Sequence, residues 1–182
     1  MSELTVAIRY AKALIDLAKE QNAVEVVKDD MVIFYKTVRE SPELAAVLAN
    51  PIISHKKKKA IVADIFSTRL GKVSMAMLNI MIDKGRGEVL YAAAHELIAQ
   101  YDVLNNITYA NVVSAAPLSE GNKKQLLTEV EQAICGTVKL HTEVNDALIG
   151  GFVLTVGDRR IDTSVANSLN KIKKDFAQVA AK

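Results

Sequence analysis

Two aspartates near the C-terminus have the spacing of a candidate acid–base pair. Asp158 and Asp162 flank two consecutive arginines, and Ser164 follows shortly after. Paired carboxylates can perform acid–base catalysis when burial or like charge separates their pKa values. The arginines between them favour the ionised form of both carboxylates. We therefore favour a structural role, in which Gly157 and Asp158 form a tight turn and Asp162 or Ser164 caps the last helix.

A glycine pair provides a second candidate site, in this case for phosphate. Gly150 and Gly151 are followed by the apolar residues Phe152, Val153 and Leu154. A phosphate-binding loop needs glycines that lead from a strand into a helix, with a Lys-Ser/Thr pair after them. Because an apolar strand follows instead, we expect the glycines to permit a bulge or a close approach between backbones.

The most charged segment is His55-Lys56-Lys57-Lys58-Lys59, which could bind the phosphates of a nucleic acid. No aromatic side chains are interleaved for base stacking, and no second basic segment accompanies it. The formal net charge of +2 is also too small to indicate nucleic-acid binding by itself. We therefore expect a solvated helix start that binds no nucleic acid. An acidic protein surface is the ligand that such a segment would suit.

The remaining reactive side chains give no enzyme or metal signature. The three histidines, at positions 55, 95 and 141, have no metal-binding partner three or four residues away. Cys135 is the only cysteine, which excludes an internal disulfide, and no basic neighbour would activate its thiol. We expect no metal, no cofactor and no catalytic residue. The N-terminus lacks the parts of a signal peptide, and no apolar run approaches the roughly 20 residues of a membrane-spanning helix, so we expect a soluble chain.

Helical periodicity extends from the N-terminus to about residue 105. Apolar residues recur every three or four positions in six segments joined by short links, the last of them over residues 88–104. Ser41-Pro42 and Ser54 have the chemistry of helix starts, whereas Pro51 and Gly85 are placed to end helices. This pattern predicts a six-helix bundle over residues 1–105.

The period changes at Asn106. β-Branched residues over 108–116 predict a strand, residues 120–134 a helix, and residues 138–144 and 148–156 two further strands. A last helix is predicted from apolar residues at helical spacing, which are Val165, Leu169, Ile172, Phe176 and Val179. The predicted fold class is mainly α, with an N-terminal six-helix bundle followed by a small α/β C-terminal domain over residues 106–182.

The first and fifth helices carry more apolar surface than one core-facing stripe needs. In the fifth helix, methionine, leucine and isoleucine cover most of the circumference between Met75 and Ile82. Either these helices are central and buried on all sides, or they form a groove that receives an amphipathic helix from another chain. Flexible methionine side chains suit such a groove.

Five motifs, in this order along the chain, resemble those of the ATP synthase delta subunit family, whose mitochondrial counterpart is the oligomycin-sensitivity-conferring protein. They are residues 9–14 (RYAKAL), 50–52 (NPI) before the lysine-rich helix, 83–86 (DKGR), 116–119 (APLS) and 149–165 (IGGFVLTVGDRRIDTSV). The resemblance spans nearly the whole chain. Thr163 stands where the family often has glycine, which affects the geometry at the start of the last helix.

The resemblance implies a non-catalytic stator subunit of an F-type ATP synthase, which supports proton-driven ATP synthesis. It implies that residues 1–105 bind the N-terminal helix of alpha subunits in the catalytic head, in a groove between the first and fifth helices. Residues 106–182 would bind the C-terminal region of the b subunits in the peripheral stalk. The implied location is the cytoplasmic face of the bacterial inner membrane, with membrane contact only through the complex. The expected groove residues are Ala7, Tyr10, Ala11, Leu14, Met77, Met81 and Lys84.

Two other classes of function are open to the sequence. One is a helical nucleic-acid-binding protein that uses residues 55–59, which salt-dependent retention on DNA or RNA would favour. The other is a small enzyme with a site around Asp158 and Asp162, which would need a concave pocket that holds carboxylates with shifted pKa values.

Overall fold

The computed structural model describes residues 3–134, 136–170 and 173. The chain divides into two compact units, Met1–Asp102 and Val103–Lys182. This division lies close to the position where the sequence changes from helical to strand-like periodicity. Each unit has its own cluster of buried apolar side chains.

The N-terminal unit is built from the six predicted helices. They are α1 (Glu3–Glu20), α2 (Val24–Glu40), α3 (Pro42–Ala49), α4 (His55–Phe66), α5 (Lys72–Asp83) and α6 (Leu90–Leu104). The mainly α prediction is therefore confirmed. One start differs from the prediction, because Gly87–Val89 forms a 3₁₀ turn and α6 begins after it.

Local chemistry explains the start of α4 and the end of α5. Gly85 has a φ of 70°, and the N–H of Arg86 donates to Met81 O at 2.9 Å, which is the Schellman pattern that glycine permits after a helix. Ser54 caps α4 by accepting from the N–H of Lys57. The expected cap at Ser41 is wrong, because its side chain makes no capping bond, and its backbone N–H donates to Thr37 O at the end of α2.

The core of the N-terminal unit is aliphatic with one aromatic contact. Phe34 of α2 and Phe66 of α4 are fully buried, and their ring centres lie 5.1 Å apart. The inner face of α1 packs into the same cluster through residues spaced three or four apart, which are Ala7, Ala11, Leu14, Ile15 and Ala18. Small alanines on this face allow close approach between helices.

A buried carboxylate connects α2 to the start of α5. Asp30 Oδ2 accepts from the N–H of Gly71 at 2.8 Å and from the hydroxyl of Ser74 at 2.6 Å. Gly71 precedes α5 and has no side chain with which to cap it. Asp30 therefore caps the N-terminus of α5 from another helix, in place of a local N-cap side chain, and it fixes where α5 begins.

We expect Asp30→Ala to lower the free energy of unfolding by about 2–4 kcal/mol, because two buried donors lose a charged acceptor. Urea denaturation followed by circular dichroism measures this loss. The matched control is Asp29→Ala, which removes an exposed carboxylate whose partner is Lys28 and should cost about 0–1 kcal/mol. Equal losses for the two variants would show that the Asp30 cap does not stabilise the bundle.

The C-terminal unit contains a four-stranded sheet, the helix α7 and the start of a further helix at residues 165–170. Its elements are β1 (Ile107–Ser114), α7 (Glu120–Ile134), β2 (Thr137–Val144), β3 (Phe152–Val156) and β4 (Arg159–Asp162), and the strand order is β2-β1-β3-β4. β1 pairs in parallel with β2 across the α7 connection and antiparallel with β3. Val130 of α7 packs in one cluster with Val112 and Leu154 of the sheet.

The bounds of α7 agree with the prediction, but the strand predicted over 148–156 is wrong at its start. Asp146–Leu148 forms a 3₁₀ turn and Ile149 has a φ of 65°, so the strand begins only at Phe152. Strand β4 was not predicted. Of the last predicted helix, residues 165–170 are helical, whereas Ile172, Phe176 and Val179, like Cys135, lie outside the described residues.

Candidate functional site

Two shallow recesses lie along α1, and α5 forms the other side of the second one. The first half of α1 lines a recess of about 320 Å³ together with Arg86, which follows the end of α5. The second half of α1 lines a recess of about 270 Å³ together with residues that begin at Lys72, the first residue of α5. The two helices therefore run antiparallel. We call the two recesses together the α1/α5 groove.

The α1/α5 groove follows a single face of α1. Its residues on α1 are Val6, Arg9, Tyr10, Ala13 and Leu17, whose three- and four-residue steps place them on one helical face, and Gln21 follows directly after the helix. The opposite side is formed by Val73, Ala76, Met77 and Ile80 of α5. Apart from the side chains at its ends, the groove is lined mainly by apolar groups.

Several of these apolar side chains are open to solvent. Leu17 is 41% exposed and Ile80 is 51% exposed. The alternative in which α1 and α5 are buried on all sides is therefore wrong for the isolated chain. A contiguous apolar strip with a polar rim is typical of a surface that a partner covers.

The structure brings most of the expected groove residues together, but beneath the groove. Tyr10, Ala11, Leu14, Met77 and Met81 all line one small pocket of about 10 Å³ that core side chains of α6 also line, which is at most room for one water molecule. Of these, only Tyr10 and Met77 also line the groove itself.

The other two expected groove residues, Ala7 and Lys84, line neither this pocket nor the groove. Ala7 is fully buried in the core, and Lys84 is exposed directly after α5. The residues that sequence reasoning missed are Val6, Ala13, Leu17, Val73, Ala76 and Ile80. Val6, Ala13 and Leu17 lie three or four residues apart on the same face of α1 as Tyr10, and this spacing could have identified them from the sequence.

The lysine run is only partly solvated. Lys56 and Lys57 are exposed as expected, but Lys58 is buried and its amine donates to Leu48 O at 2.6 Å. Leu48 lies in the last turn of α3, where carbonyl groups lack helical partners. The expectation of a solvated run is therefore wrong for Lys58, because its amine satisfies one of these carbonyls.

The segment around Asp162 has the expected structural role. Asp162 Oδ1 accepts from the backbone N–H of Ser164 at 3.0 Å and from its hydroxyl at 2.6 Å. Ser164 Oγ in turn accepts from the N–H of Asn167 at 3.2 Å, and so caps the helix that follows. Gly151, with a φ of 78°, lies against the backbone of Thr163, and this confirms the close approach.

The histidines lie in separate surroundings. The ring of His95 lies 5.7 Å from the ring of Tyr35. Tyr35 also forms a hydrogen bond with Tyr91, and this bond raises the pKa of Tyr91. His141 Nε2 is 3.4 Å from a carboxylate oxygen of Glu143. Within the part of the chain that the structure describes, no three metal-binding side chains come together. None of the described helices combines the length and apolarity needed to cross a bilayer.

The C-terminal unit has a groove of its own, of about 590 Å³, between α7 and the β3–β4 hairpin. Its apolar lining includes Val130 and Leu154, and the charged side chains of Glu129, Asp158 and Arg159 also line it. We call it the α7/hairpin groove.

Two compact units, each with a largely apolar groove, are the architecture of a protein-binding connector. The family described as ATP synthase delta (OSCP) subunit matches residues 6–176. The chain is 34% identical to the ATP synthase subunit delta of Christiangramia forsetii over 170 residues, covering 93% of this chain and 92% of that protein. It is 33% identical to the subunit delta of Cytophaga hutchinsonii over 178 residues, covering 98% and 97%. The chain belongs to the ATP synthase delta (OSCP) subunit family.

The fold is also similar to a chain of a solved complex. A chain in the cryo-EM structure of the Toxoplasma gondii mitochondrial ATP synthase hexamer aligns with a TM-score of 0.67 at 20% identity, covering 94% of this chain and 97% of that one. Family membership, which the sequence motifs predicted, is confirmed by the family match and by the delta-subunit relatives. The protein is a stator subunit that links parts of the membrane-associated ATP synthase.

Proposed function

We propose that the N-terminal unit binds the N-terminal helix of the alpha subunit and that the C-terminal unit binds the C-terminal region of the b subunit. In this role the chain holds two parts of the enzyme together and catalyses no reaction. The proposed location is the cytoplasmic face of the bacterial inner membrane, with membrane contact only through the complex and no contact with nucleic acid.

The α1/α5 groove is the observation that supports the first half of the proposal. Its stripe runs from Val6 of α1 to Gln21, the residue after this helix, which spans about 22 Å at the rise of an α-helix. An amphipathic helix of about four turns would fit along it, with side chains at i, i+3, i+4 and i+7 facing the groove. Tyr10 and Met77 would contact this helix, whereas Ala7, Ala11, Leu14 and Met81 would support the groove from below.

The α7/hairpin groove supports the second half. It combines an apolar floor with charged side chains from α7 and from the turn between β3 and β4. Such a groove suits a helical segment that presents both apolar and polar side chains, and the b subunit would supply it.

The mechanical role explains why binding matters more than chemistry. Rotation of a central stalk would drag the catalytic head with it unless the head were anchored to the stationary part of the enzyme. An anchor must dissociate slowly from its partners. High affinity provides this, because most differences in affinity arise from differences in dissociation rate. Nanomolar binding, about −12 kcal/mol, is within reach of an apolar helix in a fitted groove.

We expect Leu17→Asp to weaken binding of the alpha peptide, a synthetic copy of the N-terminal helix of the alpha subunit, by about 100-fold. The variant loses apolar contact and buries a charge under the peptide. Isothermal titration calorimetry measures the affinity, and circular dichroism checks that the variant is folded. Leu17 is exposed, so the fold should tolerate the change.

The matched control is Val26→Asp, which places the same charge at an exposed apolar position of α2 outside the groove. This variant should bind the alpha peptide within about twofold of the wild type, as expected for a site that touches no partner. If both variants bound equally well, the groove would not be the binding site. Absence of binding by the folded wild-type chain would overturn the proposed binding of the alpha subunit itself.

A further inference from the structure

The charged side chains that line the α1/α5 groove are all cations. Arg9 and Arg86 line the recess beside the first half of α1, and Lys72 lines the recess at the other end. Among the described residues, no carboxylate lines either recess. The groove is thus apolar along its floor and positively charged at its ends, with two guanidinium groups at one end and one amine at the other.

The positive charge at the Arg86 end is not cancelled within the described part of the chain. Arg86 and Lys84 have no carboxylate within 4.0 Å among the residues that the structure describes. Asp83, which precedes Lys84, forms an ion pair with Lys59 of α4, and Glu88, two residues after Arg86, is exposed. His55 also borders this turn, since a Cβ at Gly85 would lie 4.0 Å from His55 Nε2.

Acidic side chains do occur on the exposed surface of α1. Glu3 lies in its first turn, Asp16 in its second half and Glu20 at its end, and all three are exposed. None of them lines the groove. The charged side chains that line the groove itself are Arg9, Arg86 and Lys72.

We propose that the groove selects an amphipathic helix with acidic side chains beside its apolar stripe, concentrated at the end that lies against Arg9 and Arg86. This inference rests on the proposed function of the groove. A neutral or basic helix would remove the Arg86 guanidinium, which no described carboxylate neutralises, from water without giving it a partner, and this desolvation is unfavourable. Arginine also pairs with carboxylates through two parallel hydrogen bonds, which gives the contact direction as well as attraction.

The unequal charge of the two ends would also orient the bound helix. In the reverse direction its acidic residues would face the single amine of Lys72 and lose the two guanidinium groups. Charge complementarity of this kind contributes to specificity and to the rate of association more than to total affinity.

The test is titration of the full chain with the alpha peptide at about 50 mM and about 500 mM salt, where screening of exposed charges differs strongly. We expect Arg86→Glu to bind about tenfold more weakly than the wild type at low salt, with a smaller difference at high salt. Lys36→Glu is the matched control, because it makes the same charge change at an exposed position of α2. It should match the wild type.

A second peptide makes the test specific for carboxylates. In it, every Glu and Asp of the alpha peptide is replaced by Gln and Asn. The wild type should bind this neutral peptide about tenfold more weakly, and Arg86→Glu should cause little further loss, since the paired charges are already absent. Arg86→Gln repeats the measurement without introducing a negative charge, in case Arg86→Glu disturbs the turn after α5.

The outcomes separate the two proposals. Equal affinities of Arg86→Glu, Arg86→Gln and Lys36→Glu, or undiminished binding of the neutral peptide, would overturn the acidic-helix inference and leave the groove intact. Failure of the folded wild type to bind either peptide would instead overturn the proposed function.

Discussion

Leu14→Asp should unfold the N-terminal helical unit and abolish binding of the alpha peptide, while the C-terminal unit stays folded. Leu14 is only 3% exposed and belongs to the apolar core that α1 forms with the other helices. Removing a buried leucine side chain costs about 2–5 kcal/mol, and a carboxylate among apolar groups adds a further penalty. The sum approaches the whole stability of a typical domain, about 5–15 kcal/mol.

Two-dimensional NMR spectra of the labelled chain distinguish the outcomes. We expect the amide signals of residues 3–102 to collapse into the unfolded region, while those of the sheet strands keep their dispersion. The matched control is Leu17→Asp, three positions along the same helix but exposed, which should lose peptide binding and keep a native spectrum. A folded Leu14→Asp variant with normal affinity would contradict the placement of Leu14 in the core.

The contrast between Leu14 and Leu17 shows what the sequence could predict about the groove. Apolar residues on both faces of α1 were visible, and the pairing of α1 with α5 followed from the family resemblance. Which face points outward was not visible, because periodicity repeats identically for a core stripe and for a groove stripe. Only packing settles this: Ala7, Ala11 and Leu14 face the other helices, and Leu17 does not.

The same limit explains the other differences. The six helices and α7 were predictable because each has long periodic apolar spacing or clear end signals. Strand β4 has only four residues, three of them charged, and so lacks an apolar alternation. The turn at Gly157 and Asp158 was its best signal, since a two-residue glycine turn is typical of a hairpin. Burial of Lys58 depends on a carbonyl of another helix, which local sequence does not reveal.

Gly151→Ala should destabilise the C-terminal unit by about 3 kcal/mol or more, from left-handed strain, steric overlap and lost hydrogen bonds together. Gly151 has a φ of 78°, and an added Cβ would lie 2.5 Å from Thr163 O, which is backbone and cannot rotate away. Three chain segments meet at this glycine pair: the N–H of Ala115 donates to Gly151 O, and that of Val165 donates to Gly150 O. Any shift that relieves the overlap would weaken these bonds.

The matched control is Gly157→Ala. Gly157 also has a positive φ, 57°, but an added Cβ would meet nothing within 4 Å. Its cost should therefore be the left-handed backbone term alone, about 1–2 kcal/mol. The difference between the two alanine variants isolates the close backbone approach from the conformational preference that both glycines share. Hydrogen exchange of the β1 and β3 amides measures both variants against the wild type.

Gly151→Ala also tests whether the two units bind their partners separately. The probe is a b peptide, a synthetic copy of the C-terminal region of the b subunit. If the C-terminal unit binds this region, Gly151→Ala should weaken b-peptide binding by about 100-fold at temperatures where that unit unfolds, since only the folded state binds. Affinity for the alpha peptide should stay within about twofold, because the α1/α5 groove lies wholly in residues 6–86.

Two results would contradict the prediction that each unit is stabilised and binds its partner separately. Equal exchange rates for Gly151→Ala and Gly157→Ala would show that the backbone at Thr163 yields easily, so that the close approach adds nothing to the stability of the sheet. Loss of alpha-peptide binding together with b-peptide binding would show that the two units do not act independently. An anchor whose two grooves are built from separate cores should instead lose one partner at a time, because each core keeps its own groove folded.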